Sequence, residues 1–171
     1  MSFFGLFRRR SPVSVSAPLP KRAAAIAAAV ALSVSVIAHF EGYVGHVYRD
    51  PVGVPTYCYG ETTNVRYRSY SREECAVLLQ ARAAKDYAPK VLDCVPSLID
   101  TPHVFAASID AAYNAGTQAF CRSRMAKSFN LHRWAEGCNG FVGWYETAKG
   151  KKLAGLVRRR AAEKALCAKD L

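Results

Sequence analysis

The first 57 residues of this chain contain no cysteine, and the first 40 contain no aspartate or glutamate. After Phe40 no apolar run is long enough to cross a bilayer, so a multi-span membrane protein is excluded. No two cysteines form a C-x-x-C pair, which argues against a zinc site or a thioredoxin-like motif. His39, His46, His103 and His132 are scattered without metal-ligand spacing. There is no internal repeat. A chain of 171 residues that is 51% hydrophobic and 22% charged is not a disordered tail or a linker, and it can bury the core of one domain.

What the chain does have is positive charge, +11 in all. That balance suggests an acidic partner such as nucleic acid, anionic lipid or a bacterial wall polymer. The charge is unevenly placed. Arg8, Arg9, Arg10, Lys21 and Arg22 give the first 40 residues +5, and the other 131 residues carry +6. Between the two lies the apolar stretch 23–40, AAAIAAAVALSVSVIAHF, with no Asp, Glu, Lys or Arg. As a helix its eighteen residues would reach about 27 Å, just short of a hydrocarbon core of about 30 Å. It is rich in Ala and Ser, so its transfer into lipid is only weakly favourable. Basic residues before it and none close behind it predict an N-in, C-out orientation. Four readings compete: a cleaved signal peptide with Val36 and Ala38 at the −3 and −1 positions, a permanent anchor, a weak anchor that later leaves the membrane, and a buried core helix. The basic flank and the all-round apolarity argue against the last.

The six cysteines, Cys58, Cys75, Cys94, Cys121, Cys138 and Cys167, all follow the apolar stretch. An even number confined there reads as three disulfides in an oxidising compartment, against the alternative of buried free thiols; fifteen pairings are open. They also sit poorly with a nucleic-acid binder, for which no reader motif is present.

Residues 46–70, rich in Val, Tyr and Thr and punctuated by Gly53, Pro55 and Gly60, read as short strands and turns. Ser71–Glu74 has the form of a capping box, opening a helix expected to end near Tyr87, before Pro89. A second helix opens at Thr101-Pro102 and closes at Gly116, with Phe105, Ile109 and Tyr113 on one face. Shorter helices are expected over 122–130, 131–137 and 139–148, and a last one over 154–169. The run Arg158–Arg160 reads as a solvated helix face. Trp134 and Trp144 fit core positions better than a sugar-stacking platform, and Tyr57, Tyr59 and Tyr67 either line a cleft or fill a strand face. The fold class is α+β: a small β-hairpin lobe and a larger helical lobe with a cleft between them, preceded by a hydrophobic helix.

The densest chemistry follows the apolar stretch at once. Glu41 falls at a helix end, and Asp50 and Thr56 fall on the first hairpin. That layout can set two carboxyl groups on opposite walls of a cleft, as glycoside hydrolysis requires: one donates a proton to the leaving oxygen, and the other stabilises charge or activates water. Phe40 and Tyr43 beside Glu41 would favour its acid form by partial desolvation.

The string Glu41-x8-Asp50-x5-Thr56 resembles the Glu–Asp–Thr triad of phage-type lysozymes, glycoside hydrolase family 24. Around it, Phe40-Glu41-Gly42, Tyr48-Arg49-Asp50, Gly53, Cys58-Tyr59-Gly60 and Thr62 match as well. Asp110-Ala-Ala-Tyr113-Asn114-Ala-Gly116, Trp144 and Gly155-Leu156 through Arg159-Arg160 to Glu163 resemble later elements of that family. The similarity spans about residues 39–167. Glu61 departs from it, since the family often has His there; it brings a third carboxylate near the cleft, able to shift a pH optimum.

The resemblance implies a lysozyme-like fold and a muramidase that cleaves the β-1,4 bond between N-acetylmuramic acid and N-acetylglucosamine in peptidoglycan, lysing the host cell. It implies Glu41 as general acid, Asp50 as the stabilising carboxylate and Thr56 as a water-positioning residue, with no metal or cofactor and no nucleic-acid partner. It also implies that residues 1–22 are a basic leader, 23–40 a signal-anchor-release segment and 41–171 a monomeric catalytic domain. That domain would be tethered to the inner membrane and then released into the periplasm. A membrane-tethered wall-binding module without catalysis and a lytic transglycosylase are the alternatives.

Overall fold

The computed structural model describes residues 20–50, 52–148 and 150–171. Arg8, Arg9 and Arg10 lie outside them. The apolar stretch forms helix α1, Lys21–Glu41, ended by Gly42 at φ +75°, a conformation that glycine adopts at little cost. Its 21 residues reach about 32 Å, of which the apolar stretch 23–40 is about 27 Å, with Lys21, Arg22 and Glu41 at the ends. It is not solvated all round. Ala29, Val30, Ser33 and Ile37 form one buried stripe, packed mainly on the helix Pro102–Ala115. The buried-helix reading is therefore realised along one face, which composition gave little reason to expect.

Strands β1 (Val44–Arg49) and β2 (Pro55–Cys58) form an antiparallel hairpin in which Tyr48 lies opposite Thr56. Tyr57 then bridges back to Glu61, and the chain to Tyr70 has no further strand. The capping box forms as expected at α2 (Arg72–Arg82): the Ser71 hydroxyl accepts from the Glu74 amide, and the Glu74 carboxylate accepts from the Ser71 amide. The helical path does not stop before Pro89. One π turn, Ala83–Tyr87, leads straight into α3 (Ala88–Cys94), with Pro89 as its second residue.

Helix α4 (Pro102–Ala115) is the centre of the fold, with every residue from Val104 to Ala112 buried. Gly116 at φ +93° closes it as expected, but Thr101 does not cap its start. Asp170, from the turn at the chain's end, accepts the His103 and Val104 amides at 2.7 and 3.0 Å, and its other oxygen meets His103 Nδ1 at 2.6 Å. Next come α5 (Thr117–Cys121), α6 (Arg124–Asn130) and α7 (Trp134–Asn139). The helix expected over 139–148 is absent. Gly143 and Tyr145 both have positive φ, so the chain turns there and enters a two-residue hairpin, β3 (Thr147–Ala148) with β4 (Lys151–Lys152). Helix α8 (Ala154–Cys167) returns across α4.

Three disulfides link neighbours in sequence: Cys58–Cys75 ties the hairpin lobe to α2, Cys94–Cys121 ties α3 to α5, and Cys138–Cys167 ties α7 to α8. Tyr57 and Tyr59 are buried and Tyr67 is exposed. Trp134 and Trp144 are half-buried against the core, as their spacing suggested.

Candidate active site

Glu41 is the last residue of α1 and lies where that helix meets α4 and α8. It lines a cavity of about 560 Å³ together with His39, Phe40, Asn114, Leu156, Arg158 and Arg159. Its Oε1 accepts from Arg159 Nη1 at 2.7 Å, and its side chain keeps 27% of its exposure, so it is open to a ligand.

Arg159 is 3% exposed, hydrogen-bonds two acids and lies 3.8 Å from a third, Glu163. Its Nη2 and Nε donate to Oδ1 and Oδ2 of Asp110 at 2.7 and 3.1 Å, a two-pronged pair with a carboxylate that has no exposure at all. Its remaining Nη1 reaches Glu41. Burial works against the Arg159 charge, but Asp110 and Glu41 outweigh it and hold the guanidinium above its usual range. Next to it, the fully buried Arg160 donates through Nη2 to Glu163 at 2.6 Å and to Asn114 at 2.9 Å. Burial, reinforced by the Asp110 carboxylate, pushes Glu163 well above the ordinary carboxylate range, with both arginines opposing.

The reading of Arg158–Arg160 as a solvated face is therefore corrected. Arg158 is exposed, whereas Arg159 and Arg160 point inward. A helical signal was present in the sequence. Leu156, Arg159, Arg160, Glu163 and Cys167 recur at spacings of three and four, which puts the two arginines and the glutamate on the apolar face of α8. Reading the run as three like charges concealed that periodicity.

The hairpin lobe carries Asp50 and Thr56, the other two residues of the expected triad. Asp50 Oδ1 accepts the Val52 and Val54 amides at 3.0 and 2.8 Å, bracing the hairpin turn. Thr56 is buried, and its hydroxyl donates to the Val54 carbonyl at 2.9 Å, leaving its oxygen lone pairs free to accept. Neither residue is among those lining the Glu41 cavity. Glu61 also lies outside it. Its Oε1 accepts from the Thr62 and Thr63 amides and the Thr63 hydroxyl at 2.8–3.0 Å, and its Oε2 lies 3.8 Å from Arg82. Burial opposes ionisation there, but these bonds and Arg82 prevail and hold Glu61 below the usual carboxylate range.

Two contacts join the lobes near the cleft. Tyr113 on α4 donates to the Tyr59 carbonyl at 2.7 Å, and Arg82 on α2 donates to the Gly60 carbonyl at 3.1 Å. Burial, with Glu41 and Glu61 nearby, pushes the Tyr113 phenol up, so it remains a donor despite Arg82.

A carboxyl group at a helix end, lining a cavity and bonded to a buried arginine, in a helical body that carries a small hairpin, fits a lysozyme-type glycoside hydrolase. Residues 38–163 match the Phage lysozyme family model. The chain is 34% identical over 152 residues to the SAR-endolysin of Pseudomonas phage phiKMV, covering 86% of this chain and 91% of that one. It is 33% identical over 129 residues to the SAR-endolysin of Escherichia phage Mu, covering 75% and 74%. The fold is shared with the active form of P1 phage endolysin Lyz, with a TM-score of 0.69 at 21% identity over 86% of this chain and 93% of that one. The chain belongs to the phage lysozyme family, and it is a muramidase that hydrolyses peptidoglycan.

Proposed function

We propose that Glu41 is the general acid of this muramidase, protonating the glycosidic oxygen between N-acetylmuramic acid and N-acetylglucosamine. The observation that carries this is the placement of its carboxyl group: at the end of α1, lining the 560 Å³ cavity, with one oxygen on Arg159 and the side chain still reachable. Asp50 is the carboxylate that stabilises the oxocarbenium-like transition state, and Thr56 accepts a hydrogen bond from the attacking water. The test is turbidity clearing of purified peptidoglycan by wild type and Glu41→Gln. The variant is expected to fold and to lose at least 100-fold in rate, of the order ascribed to general acid catalysis. Products of the wild type carry reducing muramic ends. Clearing at the wild-type rate by the variant defeats the assignment, and 1,6-anhydro ends identify a transglycosylase.

The same reading gives α1 two roles. In the membrane it is an anchor with its N-terminus inside; afterwards it is the first helix of a monomeric periplasmic enzyme. Support comes from its two faces. The stripe that includes Val30 and Ile37 docks on the body, and the outward positions are largely small, with Ala24, Ala27, Ala28, Ala31 and Ser35 exposed. Leaving lipid therefore exposes little apolar area to water. Because Glu41 ends this helix, it can meet Arg159 only after α1 docks. N-terminal sequencing of the periplasmic form is expected to read from Met1; a start near His39 would mean that a peptidase removes the helix.

A further inference from the structure

A general acid must hold a proton before it can donate one, and Glu41 sits on a buried cation. We infer that Asp110 is a positioning residue that lets Glu41 be protonated, by committing the charge of Arg159 elsewhere.

The geometry is a competition for one guanidinium. Asp110 and Glu41 each have an oxygen 2.7 Å from it, but the two acids are not equivalent. Asp110 is wholly buried and engages two nitrogens in a two-pronged pair; Glu41 engages one nitrogen and is partly solvated. A buried carboxylate has no water to replace its counter-charge, so Asp110 holds Arg159 more firmly than Glu41 does. When Glu41 takes up a proton, Arg159 is still paired. Without Asp110, protonating Glu41 would leave the buried Arg159 only Glu163, 3.8 Å from its Nε and already bonded to Arg160, and the ionised form of Glu41 would be favoured.

Other charged and titratable groups surround this pair: His39 on α1, Tyr113 on α4, and Arg158, Arg160 and Glu163 on α8, with Glu163 Oε1 3.8 Å from Arg159 Nε. Among the described residues only Arg159 makes a hydrogen bond to the Glu41 carboxylate, and only Asp110 pairs with Arg159 through two bonds.

The inference rests on Glu41 as general acid and is read from the pH dependence of kcat/KM on purified peptidoglycan. The alkaline limb of that profile reports loss of the essential proton. Asp110→Asn is expected to move the limb down by about one pH unit, because an uncompensated cation favours the ionised acid. Arg159→Gln is expected to move it up, and the double variant to return it close to wild type. A purely structural role for the pair predicts a lower plateau with an unmoved limb, or shifts of the same sign in both single variants; either result overturns the inference. If Asp110→Asn does not fold, Arg159→Gln is compared with the double variant, which differs from it only in the Asp110 charge. Equal limbs in those two would overturn it as well. The underlying reading fails separately: if Glu41→Gln still hydrolyses the wall, Glu41 is not the general acid, whereas if Glu41→Gln is silent and the limb of Asp110→Asn, with Glu41 intact, does not move, only this coupling fails.

Discussion

Glu41 and Asp50 stand nine residues apart in the chain and are held in opposite ways. The partner of Glu41, Arg159, is 118 residues away, and that arginine is fixed by Asp110 across another 49. The partners of Asp50 are two and four residues away, and the Thr56 hydroxyl bonds to a carbonyl two residues back. The wall of the Glu41 cavity is made by three docked helices meeting at buried charges. Asp50 and Thr56 stand on a hairpin that satisfies its own polar groups and is tied to the body by a few links. The helical wall therefore exists only in the assembled fold, and anything that displaces α1, α4 or α8 disassembles it. The hairpin keeps its local form and can lose only its place.

The contrast is tested most severely on the helical wall. Glu163→Ala leaves the fully buried Arg160 side chain with Asn114 as its one hydrogen-bond partner among the described residues, and removing one member of a buried pair costs about 3–5 kcal/mol. Urea unfolding is expected to show that loss, with activity falling in step as the bracing of α8 goes. A loss below about 1 kcal/mol would mean that the wall does not depend on this pair. The hairpin is expected to respond less and differently. Replacing Cys58 and Cys75 with serine opens a link between residues 17 apart, worth about 3 kcal/mol in the chain-entropy picture. Thermal unfolding measures the total. Amide exchange is expected to accelerate mainly between Val44 and Cys75 and to leave α4 and α8 protected. Acceleration spread evenly across α4 would erase the distinction between the two.

That distinction also governs what could be read from the chain. The capping box at Ser71 and Glu74, the helix end at Gly116 and the ends of α8 to within about two residues were legible because each is a local rule. The helix expected over 139–148 does not form, because positive φ at Gly143 and Tyr145 turns the chain there. Three consecutive arginines looked alike, yet one is solvated and two are buried, and only the position of α8 against α4 separates them. Asp110 belonged to a recognisable helix, but nothing beside it in sequence indicated that its counter-charge comes from α8.

By itself the amino-acid sequence determined the local parts: a weakly apolar helix flanked by basic residues, a hairpin bearing Asp50 and Thr56, a set of cysteines placed for export, and the resemblance that joined them into a family. The tertiary structure decided how charge is shared. Burial removes water as a competitor, so Asp110, Arg159, Arg160 and Glu163 must find partners among themselves, and Glu41 meets Arg159 only where α1 and α8 come together. Such pairings depend on which helices dock, and that depends on the whole chain.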